Sequence, residues 1–241
     1  MTAPASPRVV SLVPSVTETL LAWGVTPVAC TRFCEQPDLP HVGGTKDPDV
    51  AAIVELAPDL VVLCVEENRR DDADALAEAG VATAALSIDG VADVPPALRM
   101  LAALIGVEHV AAADVAAAEA AVGPVPTTRL RAFVPIWKRP WMSLAGGTYG
   151  SSLLAAVGVA NVFADADARY PTVTLDEVRD RRPDVVLAPS EPYPFAERHV
   201  PLFADVAPVV LVDGQDLFWW GVRTPAALGR LRERLARVTP R

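Results

Sequence analysis

The chain has 241 residues, about half of them apolar, with a net charge of -9 at neutral pH and three cysteines. That length buries a full core as one large domain or two modest ones, and the acidic balance, with no basic cluster against it, excludes a nucleic-acid or anionic-membrane surface. No apolar run is long enough for membrane insertion, and an odd cysteine count confined to the first half excludes a secreted disulfide framework.

In chain order, Arg8 to Val13 reads as the first strand. It begins so early that no charged segment and apolar signal core fit before it, so the chain is expected to be cytoplasmic, the alternative being an exported importer receptor whose signal has been removed. Pro14-Ser15 turns into a helix with Ser15 or Thr17 as N-cap and Glu18 in its first turn, ended by Gly24. A short strand from Val28 to Cys30 leads into Thr31-Arg32-Phe33-Cys34, a loop where reactive and aromatic groups concentrate. A helix from Asp49 to Ala57 precedes Pro58-Asp-Leu-Val-Val-Leu-Cys-Val-Glu-Glu-Asn68. After it come a helix from Arg69 to Ala79, stopped by Gly80, and a strand near Thr83 to Leu86.

Residues 94–122 show leucine and alanine at helical spacing, with a break at Gly106. The second half then repeats strand and helix. Strands are expected at Arg131 to Val134, near Asn161, from Val185, and from Val209 to Val212. Helices are expected from Tyr149 to Val157, around Leu175, from Glu197 to Phe203, and from Pro225 onward, with Asp213-Gly214 as a turn and Asp216 as a cap. Most prolines fall at turns or helix starts, and none is expected to interrupt a helix centre.

The Pro58-Asp stretch has a second copy, Pro183-Asp-Val-Val-Leu-Ala-Pro-Ser-Glu-Pro192. Each is a Pro-Asp turn followed by a continuous apolar run, the pattern of a parallel strand buried on both faces. Superposing the turns sets Glu66 opposite Glu191, each just past the C-terminal end of an interior strand, where open α/β sheets bind ligands. The expectation is two similar α/β lobes with Rossmann-like parallel-sheet cores and a ligand cleft between them: 1–92, a helical linker at 93–124, and 125–241.

Candidate chemistry gathers at these strand ends. Seven of the eight Trp and Tyr residues lie after residue 130: Trp137, Trp141, Tyr149, Tyr170, Tyr193, Trp219 and Trp220. Rings in loops line a cavity or an interface, or else pack beneath their own loops. Arg169 and Arg223 stand beside such rings and suit an anionic ligand group, or lie in solvent. Glu66, Glu67 and Glu191 read as solvated helix-start carboxylates, as polar ligand contacts, or as a two-carboxylate catalytic site aided by Cys34 or a captured metal. A metal site has little support, since no two histidines stand at i, i+4 and Cys30-x-x-x-Cys34 lacks a second pair.

The run from Arg8 to Val25 and both Pro-Asp strands closely resemble the class III, TroA-like helical-backbone solute-binding proteins of ABC importers, nearest the cobalamin-binding type. The resemblance covers nearly the whole chain. It implies a binding protein rather than an enzyme, holding a corrinoid or another bulky metal chelate as its small-molecule ligand between two lobes joined by a long helix. It implies ligand contacts at Pro14, Ser15, Cys64, Glu66, Glu67 and Asn68 in the first lobe, and at Trp137 to Trp141 and Asp216 to Arg223 in the second. The segments holding Arg32, Phe33 and Cys34, Arg169 and Tyr170, and Glu191 and Tyr193 resemble a branch without a signal peptide. Where importer-coupled members carry glutamates that dock on the permease, the comparable helix start here is Asn68-Arg69-Arg70, which argues against ABC permease docking.

Overall fold

A computed structural model describes residues 7–240 and resolves the chain into two compact units. The first runs to Ile88 and includes Asp93–Glu119 and Trp220–Val222; the second holds Asp89–Ala92, Ala120–Trp219 and the chain from Arg223.

In the first unit, β1 (Val9–Ser11), β2 (Ala29–Cys30), β3 (Leu60–Cys64) and β4 (Thr83–Leu86) form a parallel sheet in the order β2-β1-β3-β4. All five side chains of β3 are buried, as its unbroken apolar run requires of an interior strand. Around the sheet run α1 (Pro14–Ala22), α2 (Val50–Glu55), α3 (Arg70–Glu78), α4 (Val94–Ile105) and α5 (Glu108–Ala121). Gly106, with φ of 72°, ends α4 in the left-handed conformation that glycine adopts without strain. Val10, Leu12, Ile53, Val61, Leu63 and Leu76 meet in the core, each worth roughly 2 kcal/mol when fully buried.

The second unit repeats this topology. Its β5 (Leu130–Phe133), β8 (Val159–Asn161), β9 (Val185–Pro189) and β10 (Val209–Val212) pair in parallel in the order β10-β9-β5-β8. The first strand of each unit is thus flanked by the second and third, with the fourth outside the third. A hairpin of β6 (Trp137–Lys138) and β7 (Trp141–Met142) stands apart from this sheet. The helices are α6 (Tyr149–Ala156), α7 (Leu175–Asp180), α8 (Gly214–Phe218) and α9 (Thr224–Leu235). Phe133 sits at the centre of the core, edge-on to Phe163 at 5.9 Å and to Phe203 at 6.2 Å.

The two Pro-Asp turns share a detailed mechanism. In each, the residue before proline has a positive φ, 44° at Ala57 and 49° at Arg182, and turns the chain out of α2 or α7. The aspartate then receives the backbone N–H of an arginine at the entry to the first strand: Arg8 to Asp59 Oδ2 and Arg131 to Asp184 Oδ2, both at 2.7 Å. Those arginine side chains donate back to the helix ends, Arg8 to the Leu56 carbonyl at 2.7 Å and Arg131 to that of Arg181 at 2.9 Å. Helix end, turn and strand start are locked together by one repeated device.

Several local expectations are corrected. The N-cap of α1 is Val13, without a side-chain cap, and Ser15 and Thr17 lie inside the helix; Pro14 at its start has no N–H to cap. Glu18 lies beyond the first turn. Glu197–Phe203 is a 3-10 helix with Pro201 inside it, so one proline does interrupt an expected helix. Asp213 and Gly214 begin α8 rather than a free turn, and Asp213, not Asp216, caps it by accepting the Gln215 N–H at 2.9 Å.

Candidate functional site: the strand-end rims

In each unit the chain reverses direction across the sheet between its first and third strands, and the C-terminal ends there form the topological switch point where open sheets take ligands. In the first unit this joins the start of α1 after β1, with Pro14 and Ser15, to the loop after β3, with Glu66, Glu67 and Asn68. Asn68 ties them together. Its Oδ1 accepts the Cys64 N–H at 2.8 Å, and its Nδ2 donates to the Leu12 carbonyl at 3.2 Å and the Thr45 carbonyl at 2.9 Å. With three partners inside a buried site, this side chain fixes the rim's shape.

Lys46 Nζ donates to the Glu66 carbonyl at 2.7 Å, bringing a cation beside the half-buried Glu66 and Glu67. Arg32 pairs with Asp47 at 3.0 Å and lies over the Phe33 ring at 4.8 Å. Phe33 and Val65 are 51% and 63% exposed, so apolar surface faces solvent after both β2 and β3. Cys34, Cys64, Pro14 and Ser15 are buried behind this surface. Burial, with the Glu67 charge added to it, pushes the Cys64 thiol up to about 11. Ser15 Oγ is buried with no hydrogen-bond partner among the described residues, as is Trp220 Nε1. The segment Trp220–Val222 belongs to the first unit, its backbone so close to α1 that a Cβ on Gly221 would lie 2.4 Å from Thr19 Oγ1.

In the second unit the corresponding loops follow β5 and β9. Glu191 stands two residues past the end of β9, as Glu66 stands two past β3, so the sequence superposition of these carboxylates holds in the strand frames. Gly214 packs directly on Glu191: a Cβ there would meet Glu191 Cγ at 2.3 Å and its backbone N at 2.6 Å. Ser190 Oγ accepts the Gly214 N–H at 2.9 Å. Trp137 is 44% exposed and edge-on to Tyr193 at 5.6 Å, whereas Trp141 stacks on Phe195 and joins the core, as does Tyr193. The rings therefore divide between solvent exposure and packing beneath loops. Tyr170 is exposed, and the neighbouring Arg169 pairs with Asp89 at 2.7 Å.

Tyr149 is buried, exchanges a hydrogen bond with Thr224 at 2.9 Å, and has its phenol pushed above the ordinary range by that burial. The buried Asp216 carboxylate accepts Arg223 Nη1 at 3.1 Å and Arg230 Nε at 2.6 Å, and Arg223 lies over Trp219 at 5.2 Å. Arg223 and Trp219 are thereby held as one rigid cationic and aromatic element. Arg230, a partner of Asp216, carries no signal in the sequence. Gly44, two residues before Lys46, is required by closeness, since a Cβ there would meet the Arg32 guanidinium at 2.7 Å. Among the described residues no group of three or more His, Cys, Asp or Glu gathers for a metal ion.

Two α/β units of identical topology, each with a switch-point rim, have the fold of the TroA-like class III solute-binding proteins. Residues 9–192 match the family model described as periplasmic binding protein, and the chain belongs to that family. It is 29% identical over 195 residues to the vitamin B12-binding protein of Salmonella paratyphi A, covering 76% of this chain and 72% of that one. It is 25% identical over 226 residues to the vitamin B12-binding protein of Pectobacterium carotovorum, covering 88% and 81%. Among solved structures, the periplasmic vitamin B12 binding protein BtuF of Vibrio cholerae superposes with a TM-score of 0.82 at 19% identity, covering 96% of this chain and 97% of that one. The periplasmic heme-binding protein BhuT in complex with two hemes also gives 0.82, at 23% identity, covering 97% and 99%.

Proposed function

We propose that this protein binds a corrinoid or other bulky metal chelate through residues at its strand-end rims. The observation that carries the proposal is the equivalence of the two rims: each places a glutamate two residues beyond its third strand and exposed apolar side chains nearby, Phe33 and Val65 in one unit, Trp137 and Tyr170 in the other. A flat, amphipathic chelate matches such chemistry, its apolar faces covered by rings and aliphatic groups and its polar periphery met by carboxylate, lysine and backbone. The vitamin B12-binding relatives support the corrinoid and the heme-binding neighbours a wider chelate class.

Titration of the purified chain with cyanocobalamin, cobinamide and haem, followed by tryptophan fluorescence, tests this reading. Saturable quenching with one-to-one stoichiometry for one of them is expected. Parallel absence of quenching and of any thermal shift with all three would remove the chelate from the account.

The exposed Arg69 and Arg70 at the start of α3 support a working place apart from an importer permease. On this reading the protein acts in the cytoplasm, and fractionation of cells producing the native chain would show it in the cytosolic fraction; recovery from an exported fraction would contradict it.

A further inference from the structure

The first unit also holds a buried thiol pair with polar neighbours. Cys30 ends β2 and is fully buried, and Cys34 is 2% exposed. The chain turns back between them, with the Cys34 N–H donating to the Thr31 carbonyl at 3.1 Å and the Phe33 N–H to Thr31 Oγ1 at 3.3 Å. The Cys34 sulfur lies 3.2 Å from Thr17 Oγ1 and 3.2 Å from Thr31 Oγ1, and the Cys30 thiol hydrogen-bonds to it as well. A neutral thiol is a weak acceptor, whereas a thiolate gains from each such donor. The Cys30 bond foremost, with the two threonine hydroxyls, holds Cys34 below the usual thiol range against the opposing effect of burial, and the same bond pushes Cys30 up.

From this geometry we propose that Cys34 is a peroxide-reactive nucleophile and that Cys30 resolves it, forming a reversible Cys30–Cys34 disulfide. The Cys34 thiolate donates an electron pair to one oxygen of hydrogen peroxide, the O–O bond breaks, and the departing hydroxide is protonated to water, leaving a sulfenic acid. Cys30 then attacks the Cys34 sulfur, the S–O bond breaks, and the second water leaves with the Cys30 proton. Sulfur is oxidised and peroxide oxygen reduced in equal measure. At 2% exposure Cys34 calls for an oxidant as small as hydrogen peroxide rather than a bulky disulfide. Cys64 is an internal control, since it is as buried but has a thiol shifted the other way.

The test treats the folded full chain with stoichiometric hydrogen peroxide, denatures it in an alkylating agent, and maps its peptides without reduction. The expected product joins the Cys30 and Cys34 peptides and leaves Cys64 alkylated. In Cys30→Ser the reaction stops at a Cys34 sulfenic acid that dimedone captures. Thr31→Val slows Cys34 oxidation at neutral pH by roughly fivefold, because the rate follows the thiolate fraction. Alkylation of all three cysteines in the peroxide-treated wild type, oxidation of Cys64 as fast as Cys34, or an unchanged rate in Thr31→Val would each overturn the proposal. The wild-type map needs no variant to fold.

Discussion

Asp59 accepts the backbone N–H of Arg8 at 2.7 Å, and 125 residues later in the chain Asp184 does the same for Arg131 at the same distance. Because the acceptor is a carboxylate, each is a charge-assisted bond that fixes where the first strand enters the sheet. The two sites differ in burial: Asp59 is exposed and Asp184 is 7% exposed. Water replaces a lost partner at the first and not at the second. Asp184→Ala is therefore expected to cost roughly 2 kcal/mol and Asp59→Ala less than about 1, as read by chemical denaturation. Equal losses would mean that burial does not set the strength of this clamp.

Gly214 is required by closeness rather than by backbone conformation, since a Cβ there would sit 2.6 Å from the Glu191 backbone nitrogen. Gly214→Ala must push the Glu191 loop away from α8. A melting temperature lowered by several degrees, corresponding to roughly 1–3 kcal/mol of overpacking, is expected together with weaker chelate binding. Unchanged binding in a folded variant would remove Glu191 from the site.

Asp216 is a buried carboxylate whose partners are unequal, Arg223 at 14% side-chain exposure and Arg230 at 52%. Removing the carboxylate leaves the Arg223 charge with its Gln215 bond and the Trp219 ring, so Asp216→Ala should cost about 3 kcal/mol. Arg230→Ala, at the exposed side, should cost under about 1 kcal/mol. Thermal denaturation of the two variants side by side distinguishes this ordering from one in which Arg230 is the principal partner.

His199 gives the second unit a pH response. Burial, then the charges of Arg198 and Lys138, lower its pKa below the ordinary 6.5. Its Nδ1 accepts the Ala196 N–H at 3.1 Å, a bond that protonation there would abolish. Below pH 6.5 the unfolded chain binds this proton more readily than the folded one, so the stability present at neutral pH is lost as pH falls through that value. Melting temperatures of the wild type and His199→Gln are expected to converge on acidification. A constant gap between them would place the response elsewhere.

The sheet strands were legible because parallel strands buried on both faces leave unbroken apolar runs, as in β3 and β9, and because glycine marks helix ends such as that of α4. The β6–β7 hairpin escaped notice: two residues per strand, rich in tryptophan, leave no alternation to read. At the rims, the turns carrying Glu66 and Glu191 followed from the repeat, whereas the bonds that hold them did not. Asn68 reaches Leu12 across 56 positions, and Arg131 reaches Asp184 across 53, and no local pattern encodes such pairings. The tryptophans were visible as a group, but which of them stack on Phe195 and which face solvent depends on packing between loops.

The central claim, that strand-end rim residues hold a chelate, is tested most directly by backbone hydrogen exchange on the free and chelate-saturated protein. The account predicts slowed exchange in residues 12–15 and 65–68 of the first unit together with 134–138 and 190–193 of the second. Protection falling away from the strand ends while the chelate is bound would contradict it.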